Sequence, residues 1–201
     1  TVTVVAAIAL FYVFVIPWMS ERVTEITPVE FDNKIGDSQY NQMESILVID
    51  QKKSRILQEF ASNIDFETSR KLTFKVVNDS EVNAYALSNG TILVHSGILD
   101  KISNYEQLAA LLGHEATHVK ERHSIKILSR AISGYIIVSA VTGDVNGIMS
   151  TIADNANQLN NLSYSRDFEE SSDAGSYQIL RKNKINPKGL VELFSILKDK
   201  E

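Results

Sequence analysis

The segment that most constrains this chain is an apolar run over residues 108–120, which carries the pattern His114-Glu115-x-x-His118. Residues four apart lie on one face of an α-helix, so both imidazoles can reach a single metal ion, with Glu115 beside it. A zinc hydrolase needs two such nitrogen ligands, an open position for water, and a carboxylate that accepts the water's proton. The run therefore predicts a core helix that carries a catalytic metal site, with a coincidental polar face as the alternative.

The composition limits what can complete that site. The chain has 201 residues, 44% of them apolar, and a net charge of -5, which suits one compact domain with an accessory element. This charge argues against a nucleic-acid partner, which would favour a basic face. There is no cysteine, so any zinc must be held by histidine and carboxylate. Of the two histidines outside the pattern, we assign His95 a structural place and His123 a helix end.

The amino-terminal segment contains no charged residue before Glu21. About twenty uncharged residues suffice to cross a bilayer, so we predict a transmembrane-like helix over residues 1–20, with a signal-peptide core or a buried helix as alternatives. The following residues lack a basic excess, which favours a single-pass protein in the cell membrane with its domain on the non-cytoplasmic, periplasmic or extracellular, side. Residues 21–37 are predicted to form a linker, and residues 38–201 the domain.

The remaining patterns predict an α+β domain that is mainly helical and has a small antiparallel sheet. A core helix is expected over residues 38–63, and a capping-box spacing at Ser103 to Glu106 opens the helix of the metal pattern. Alternating apolar residues predict three strands, over residues 72–77, 82–87 and 91–94, the last two joined by an Asn-Gly turn. The exposed edge of such a sheet either binds an extended peptide or is purely structural. Residues 125–141 favour a buried or membrane-surface helix, and residues 143–161 a mobile or helical cover.

A third metal ligand is needed, and the acidic segment over residues 164–174 offers candidates. If this segment is helical, Glu169 and Asp173 share a face. One carboxylate could bind the metal while the other accepts a hydrogen bond from a ligand imidazole and sets its tautomer. Glu170 would instead pair with Ala174, so spacing favours Glu169. The alternative is an acidic, solvated helix face.

Several motifs occurring together in order resemble one family of proteins, the M48 zinc metallopeptidases. The motifs are Asn83-Ala-Tyr-Ala-Leu, Asn89-Gly-Thr-Ile-Leu-Val-His-Ser-Gly, His114-Glu-Ala-Thr-His with Arg122-His123, and Ser165-Arg-Asp-Phe-Glu-Glu-Ser-Ser-Asp. The resemblance implies a gluzincin-type site with one zinc ion per chain, held by His114, His118 and Glu169. It also implies that Glu115 is the general base and that Asp173 supports a ligand imidazole.

The same resemblance places the strand around residues 83–87 along the cleft. Its candidate substrate-contacting residues are Asn83, Ala84 and Tyr85. Tyr164 and Arg166 lie near Glu169 in the sequence and are therefore candidates for stabilising the oxyanion, with packing and a surface ion pair as the alternatives. Many relatives have alanine where this chain has Ser172, a small-for-small change that leaves the ligand assignment intact.

The function expected from these residues is a membrane-anchored zinc endopeptidase that hydrolyses extended or unfolded polypeptides. The resemblance to the family further implies misfolded proteins as substrates, in the manner of a quality-control protease. Its partners would be polypeptide substrates and the membrane. The alternative is a membrane-anchored binding or chaperone module whose zinc is structural or covered, for example with His123 in the position of the water.

Overall fold

The fold is taken from a computed structural model, which describes residue 10, residues 14–142 and residues 164–198, with side chains left undescribed over residues 134–142. In chain order the helices and strands of the described residues are α1 Ile16–Ile26, α2 Val29–Glu44, β1 Ile49–Asp50, α3 Gln51–Ala61, β2 Thr73–Val77, β3 Ala84–Ala86, β4 Thr91–His95, α4 Ser96–Leu99, α5 Tyr105–Lys120, α6 His123–Thr142, α7 Arg166–Lys182 and α8 Lys188–Lys198. Helices dominate and a small sheet accompanies them, so the prediction of a mainly helical α+β fold is confirmed.

The sheet is mixed, which corrects the prediction of three antiparallel strands. Its order is β1-β2-β4-β3, with β2 parallel to β4 and the other two pairs antiparallel. The predicted hairpin between β3 and β4 is confirmed. The chain leaves β2, crosses the end of β4 and forms β3 at the outer edge, so β4 returns beside β2 in the same direction. At two residues, β1 is too short for an alternation pattern to reveal it.

Helix α5 lies at the centre of the main core. It packs against α7, α8 and β3, and Ala109, Ala110, Leu112 and Ala116 are fully buried in it. Its cap differs by one residue from the prediction: the side chain of Asn104, not Ser103, accepts a hydrogen bond from a backbone N–H at the helix start. The helix that carries the metal pattern is thus held from several sides.

The predicted linker over residues 21–37 is helical, because α1 and α2 together cover most of it. Pro28 does not separate two disordered stretches; it lies immediately before α2, where its fixed φ of -60° suits a helix start. The single helix predicted over residues 38–63 is likewise wrong, since α2 and α3 are separated by residues 45–50.

Buried polar contacts hold these amino-terminal helices in place. Asp32 of α2 is 1% exposed, and its carboxylate accepts hydrogen bonds from Arg70 at 2.7 Å and from Arg122 at 2.5 and 2.7 Å. Arg122 also donates to the backbone carbonyls of Thr24 and Thr27. Because Arg122 lies two residues beyond the end of α5, this cluster ties α1 and α2 to the helix that carries His114 and His118.

The membrane-spanning prediction over residues 1–20 falls largely outside the described residues, as does the predicted cover over residues 143–161. Within the part of the chain that the structure describes, no helix combines the length and the apolar character needed to cross a membrane.

Candidate metal centre

Two imidazoles from α5 form the start of the candidate centre. The Nε2 atoms of His114 and His118 lie 3.0 Å apart, and the two rings meet at 66°. His118 is buried and the side chain of His114 is 16% exposed, at a cleft of about 730 Å³. The four-residue spacing therefore does what the sequence predicted: it brings both nitrogens to one point.

Glu169 approaches the same point from α7. Its carboxylate oxygens lie 3.3 Å from His114 Nε2 and 3.9 Å from His118 Nε2. Helix α7 lies very close to α5 here, because Gly175 faces Thr117 with no room for a side chain and Ser176 Oγ donates to the Ala110 carbonyl at 2.8 Å. The close packing of the two helices delivers the third donor.

These three residues fit a metal ion. Their donor atoms all lie within 4.8 Å of one another. A tetrahedral ion with bonds of about 2.0–2.2 Å separates its ligands by about 3.3–3.6 Å, close to the spacing seen here. Two imidazole nitrogens and one carboxylate are a donor set that suits zinc and leaves one position for water. The clustering is as predicted, while the ligand roles themselves stay predictions.

Asp173 orients the first imidazole. His114 Nδ1 donates to the Asp173 carboxylate at 2.9 Å, which leaves Nε2 to face the centre. Burial disfavours the charged imidazole, but hydrogen bonds to Asp173 and Glu169 outweigh burial and raise the pKa of His114 to about 10. In the metal-free protein the centre thus strongly favours a positive charge, as a cation site should.

The partner of the second imidazole is His123, which the sequence interpretation treated only as a helix end. His123 is 1% exposed, and its Nδ1 lies 2.9 Å from His118 Nδ1, with one ring donating and the other accepting. It therefore contacts the outer nitrogen of His118, not the position of a metal-bound water. Burial lowers the pKa of His118 to about 2 and that of His123 to about 3, so both rings are neutral, as a ligand must be.

The backbone conformation of the preceding residue brings His123 into contact with His118. Arg122 has a φ of 58°, in the left-handed region that few residues other than glycine adopt. This residue turns the chain between α5 and α6 and folds His123 back onto the preceding helix. Ser171 Oγ of α7 lies 3.2 Å from the other nitrogen of His123. No spacing rule for a continuous helix would predict this contact.

Glu115 is 6% exposed and lines the cleft beside the two imidazoles. Burial raises the pKa of its carboxyl to about 7, against the opposing effects of the His114 charge and of the Ala86 N–H that bonds to it. A carboxyl that titrates near neutrality can both accept and release a proton in one reaction cycle. This is the position and environment that a general base requires.

Four of the five remaining predicted residues line the cleft. Asn83, Ala84 and Tyr85 line the cleft along β3, and burial raises the pKa of Tyr85 to about 12. Tyr164 also lines it, and its ring stacks on that of His118 with centroids 3.8 Å apart.

The structure does not support an oxyanion role for Arg166. Its side chain is 90% exposed, pairs with Glu170 at 3.0 Å and does not line the cleft. The hydroxyl of Tyr164 lies 3.0 Å from Ser124 Oγ, so one of that pair donates to the other. Tyr164 therefore remains the candidate of the two, through its place beside His118.

Comparison with known proteins agrees with this geometry. The model of peptidase family M48 matches residues 50–199. The chain is 32% identical over 148 residues to the metalloprotease YcaL of Escherichia coli (strain K12), covering 72% of this chain and 57% of YcaL. It is 32% identical over 131 residues to the metalloprotease LoiP of the same organism, covering 63% and 51%. Against the mitochondrial metalloendopeptidase OMA1 of Schizosaccharomyces pombe the identity is 31% over 122 residues, covering 60% and 35%. The chain thus spans about half the length of the first two of these relatives.

Proposed function

This chain belongs to peptidase family M48, and we propose that it is a zinc-dependent endopeptidase that cleaves extended polypeptides. The observation that carries the proposal is the convergence of His114 Nε2, His118 Nε2 and a Glu169 carboxylate oxygen beside the buried Glu115. Three donors with one position left for water define a catalytic zinc site better than a structural one, which is normally closed by four protein ligands.

The residues divide the chemistry between them. His114, His118 and Glu169 would hold the ion, which when bound polarises the scissile carbonyl and acidifies water. A Glu115 Oε atom accepts a proton from the attacking water and delivers it to the nitrogen of the departing amine. The raised pKa of Glu115 suits this transfer in both directions. Asp173 and His123 keep the two imidazoles oriented.

Strand β3 supports the proposed substrate class. This strand lies at the edge of the sheet. The peptide groups of Asn83 and Leu87 point toward β4, because His95 N–H donates to Asn83 O and Leu87 N–H donates to Thr91 O. By alternation, the peptide groups of Ala84 and Ala86 face away from β4, toward the cleft. The outward N–H groups are already used, since Ala84 N–H donates to Asn83 Oδ1 at 3.0 Å and Ala86 N–H bonds to Glu115. A substrate strand would therefore donate its own N–H groups to the carbonyls of this edge, with little regard to its sequence, as unfolded or misfolded proteins would require.

The test pairs wild type with Glu115→Gln, measuring zinc content and casein cleavage on the same samples with a chelator control. We expect equal zinc and a loss of cleavage of about 10²–10⁴-fold in the variant, because proton transfer is removed while the ligands remain. A matched control is Glu44→Gln, an exposed carboxylate on α2, which should cleave like wild type.

Cleavage at the wild-type rate by zinc-loaded Glu115→Gln would falsify the assigned base. Zinc in both proteins with cleavage in neither would overturn the peptidase proposal in favour of a zinc-holding binding module.

We also propose that the chain is tethered to a membrane through its uncharged residues 1–20, with the cleft on the non-cytoplasmic side. Expressed in a bacterial host, it should stay in the membrane fraction after alkaline carbonate washing, and external protease should digest the domain in spheroplasts. Release by carbonate, or protection in intact spheroplasts, would contradict the tether or its orientation respectively.

A further inference from the structure

A second group of potential ligands lies at the end of β4, in His95. This residue is 5% exposed, and neither Nδ1 nor Nε2 has a hydrogen-bond partner among the described residues. Buried polar atoms are nearly always paired, because an atom without a partner loses its hydrogen bonds to water and gains none in return. The bare imidazole therefore needs an explanation, and the sequence interpretation of His95 as merely structural does not supply one.

The oxygens of two carboxylates lie close to Nδ1 of this ring. Asp79 Oδ1 is 3.6 Å and Glu81 Oε2 3.9 Å from His95 Nδ1, and the three donor atoms lie within 4.8 Å of one another. These separations exceed a hydrogen bond but match those of ligands that share an ion with bonds of about 2.0–2.2 Å. Both carboxylate side chains are about half exposed, at 46% and 48%, which gives an ion access from solvent.

The loop that carries the carboxylates is fixed to the end of β4. Ser96 Oγ accepts a hydrogen bond from Asp79 N–H at 3.0 Å and donates to Asp79 O at 2.8 Å, and Gly97 N–H donates to the same carbonyl at 2.9 Å. Gly97 lies so close to the carbonyls of Ser80 and Glu81 that no side chain would fit there. The backbone that carries the two carboxylates is thus held in position before any ion arrives.

We propose that Asp79, Glu81 and His95 form a second zinc-binding site. One imidazole nitrogen with two carboxylates suits zinc and similar borderline divalent ions, whereas calcium and magnesium favour oxygen ligands alone. The inference does not depend on the peptidase proposal, because it rests on residues outside the first centre.

The position of this site suggests what it does. His95 and Glu81 line the same cleft as His114 and Glu169. Asn83, immediately before β3, donates to Glu81 Oε1 at 3.0 Å, and its carbonyl accepts from His95 N–H at 3.1 Å. An ion bound by Glu81 and His95 therefore fixes the start of the edge strand along which a peptide would lie.

The experiment titrates metal-free protein with zinc ions alone and measures stoichiometry by calorimetry, with circular dichroism as the check on folding. Wild type should bind about two ions per chain, and the double variant Asp79→Asn/Glu81→Gln about one. The exposed carboxylates carry the test because the buried His95 is harder to change without disturbing the core. Asparagine at position 79 keeps the acceptor for the Glu81 N–H, so the loop retains its 2.6 Å hydrogen bond.

Two further proteins make the outcome decisive. His118→Ala removes the first centre and should retain about one ion, while Glu44→Gln should retain both. The proposal is overturned if wild type binds a single ion that His118→Ala abolishes, or if the folded double variant still binds two.

Discussion

The two histidine-carboxylate clusters line the same cleft, but they are built in opposite ways. In the first, two candidate ligands come from one buried helix, and both imidazoles have their outer nitrogens paired, His114 with Asp173 and His118 with His123. In the second, a loop lies over a strand end, and the imidazole of His95 has no hydrogen-bond partner among the described residues. Side-chain hydrogen bonds orient the imidazoles of the first cluster. The loop backbone positions the second cluster, and we expect an ion to bind its imidazole.

Replacing Glu169 should produce the largest difference in zinc binding between the two clusters. In Glu169→Gln the first centre loses its only charged ligand, so we expect its zinc affinity to fall by more than about 100-fold and casein cleavage to disappear. Zinc titration should still detect the second site. Glu170→Gln is the control, because Glu170 is the neighbouring carboxylate on the exposed side of α7. Equal losses in both variants would mean that charge on α7, and not ligation by Glu169, supports the first centre.

The glycines beside each cluster offer a second comparison, of stability. A Cβ on Gly97 would lie 2.5 Å from the backbone carbonyl oxygen of Glu81, whereas one on Gly175 would lie 2.5 Å from the side chain of Thr117. Backbone yields less easily than a side chain, so we expect Gly97→Ala to cost about 3 kcal/mol and Gly175→Ala about 1 kcal/mol. Urea unfolding of both variants measures the difference.

A compensating change checks the reason for that difference. Thr117→Ala removes the two nearest atoms that a methyl group at Gly175 would meet and leaves Cβ at 3.0 Å, so the double variant should recover part of the loss caused by Gly175→Ala. When Thr117→Ala is combined with Gly97→Ala, it should recover none of the stability lost through Gly97→Ala. If Thr117→Ala rescues neither or both, contact between α7 and α5 is not the source of the cost.

The smallest effect is expected at Asp173. Asparagine still accepts the hydrogen bond from His114 Nδ1 but carries no charge, so zinc affinity at the first centre should fall by only about 10-fold. Competition with a zinc indicator dye measures this, with Asp167→Asn, an exposed position on the same helix, as the reference. An unchanged affinity in Asp173→Asn would show that orientation alone, without the charge, supports His114.

The amino-terminal helices show why parts of the fold escaped prediction. Residues 21–37 have few apolar side chains at helical spacing, and Pro28 and Gly36 favour a linker. In the structure they are held by Asp32, whose partners Arg70 and Arg122 lie 38 and 90 residues away along the chain. A buried ion-pair cluster leaves no periodic trace in the sequence, whereas an apolar helix face does.

The sequence by itself determined the helix that carries His114, Glu115 and His118, the β3–β4 hairpin, and the shared helix face of Glu169 and Asp173, because spacings of three, four or two residues within one element act locally. The meeting of Glu169 and Asp173 with the two imidazoles depends on the packing of α7 against α5. Only the tertiary structure decided the pairing of His123 with His118, the parallel pairing of β2 with β4, and the placement of Asp79 and Glu81 over His95. Each of these depends on where the chain turns, at Arg122 or in the crossing after β2. The direction of a turn follows from packing between distant elements, which no local spacing encodes.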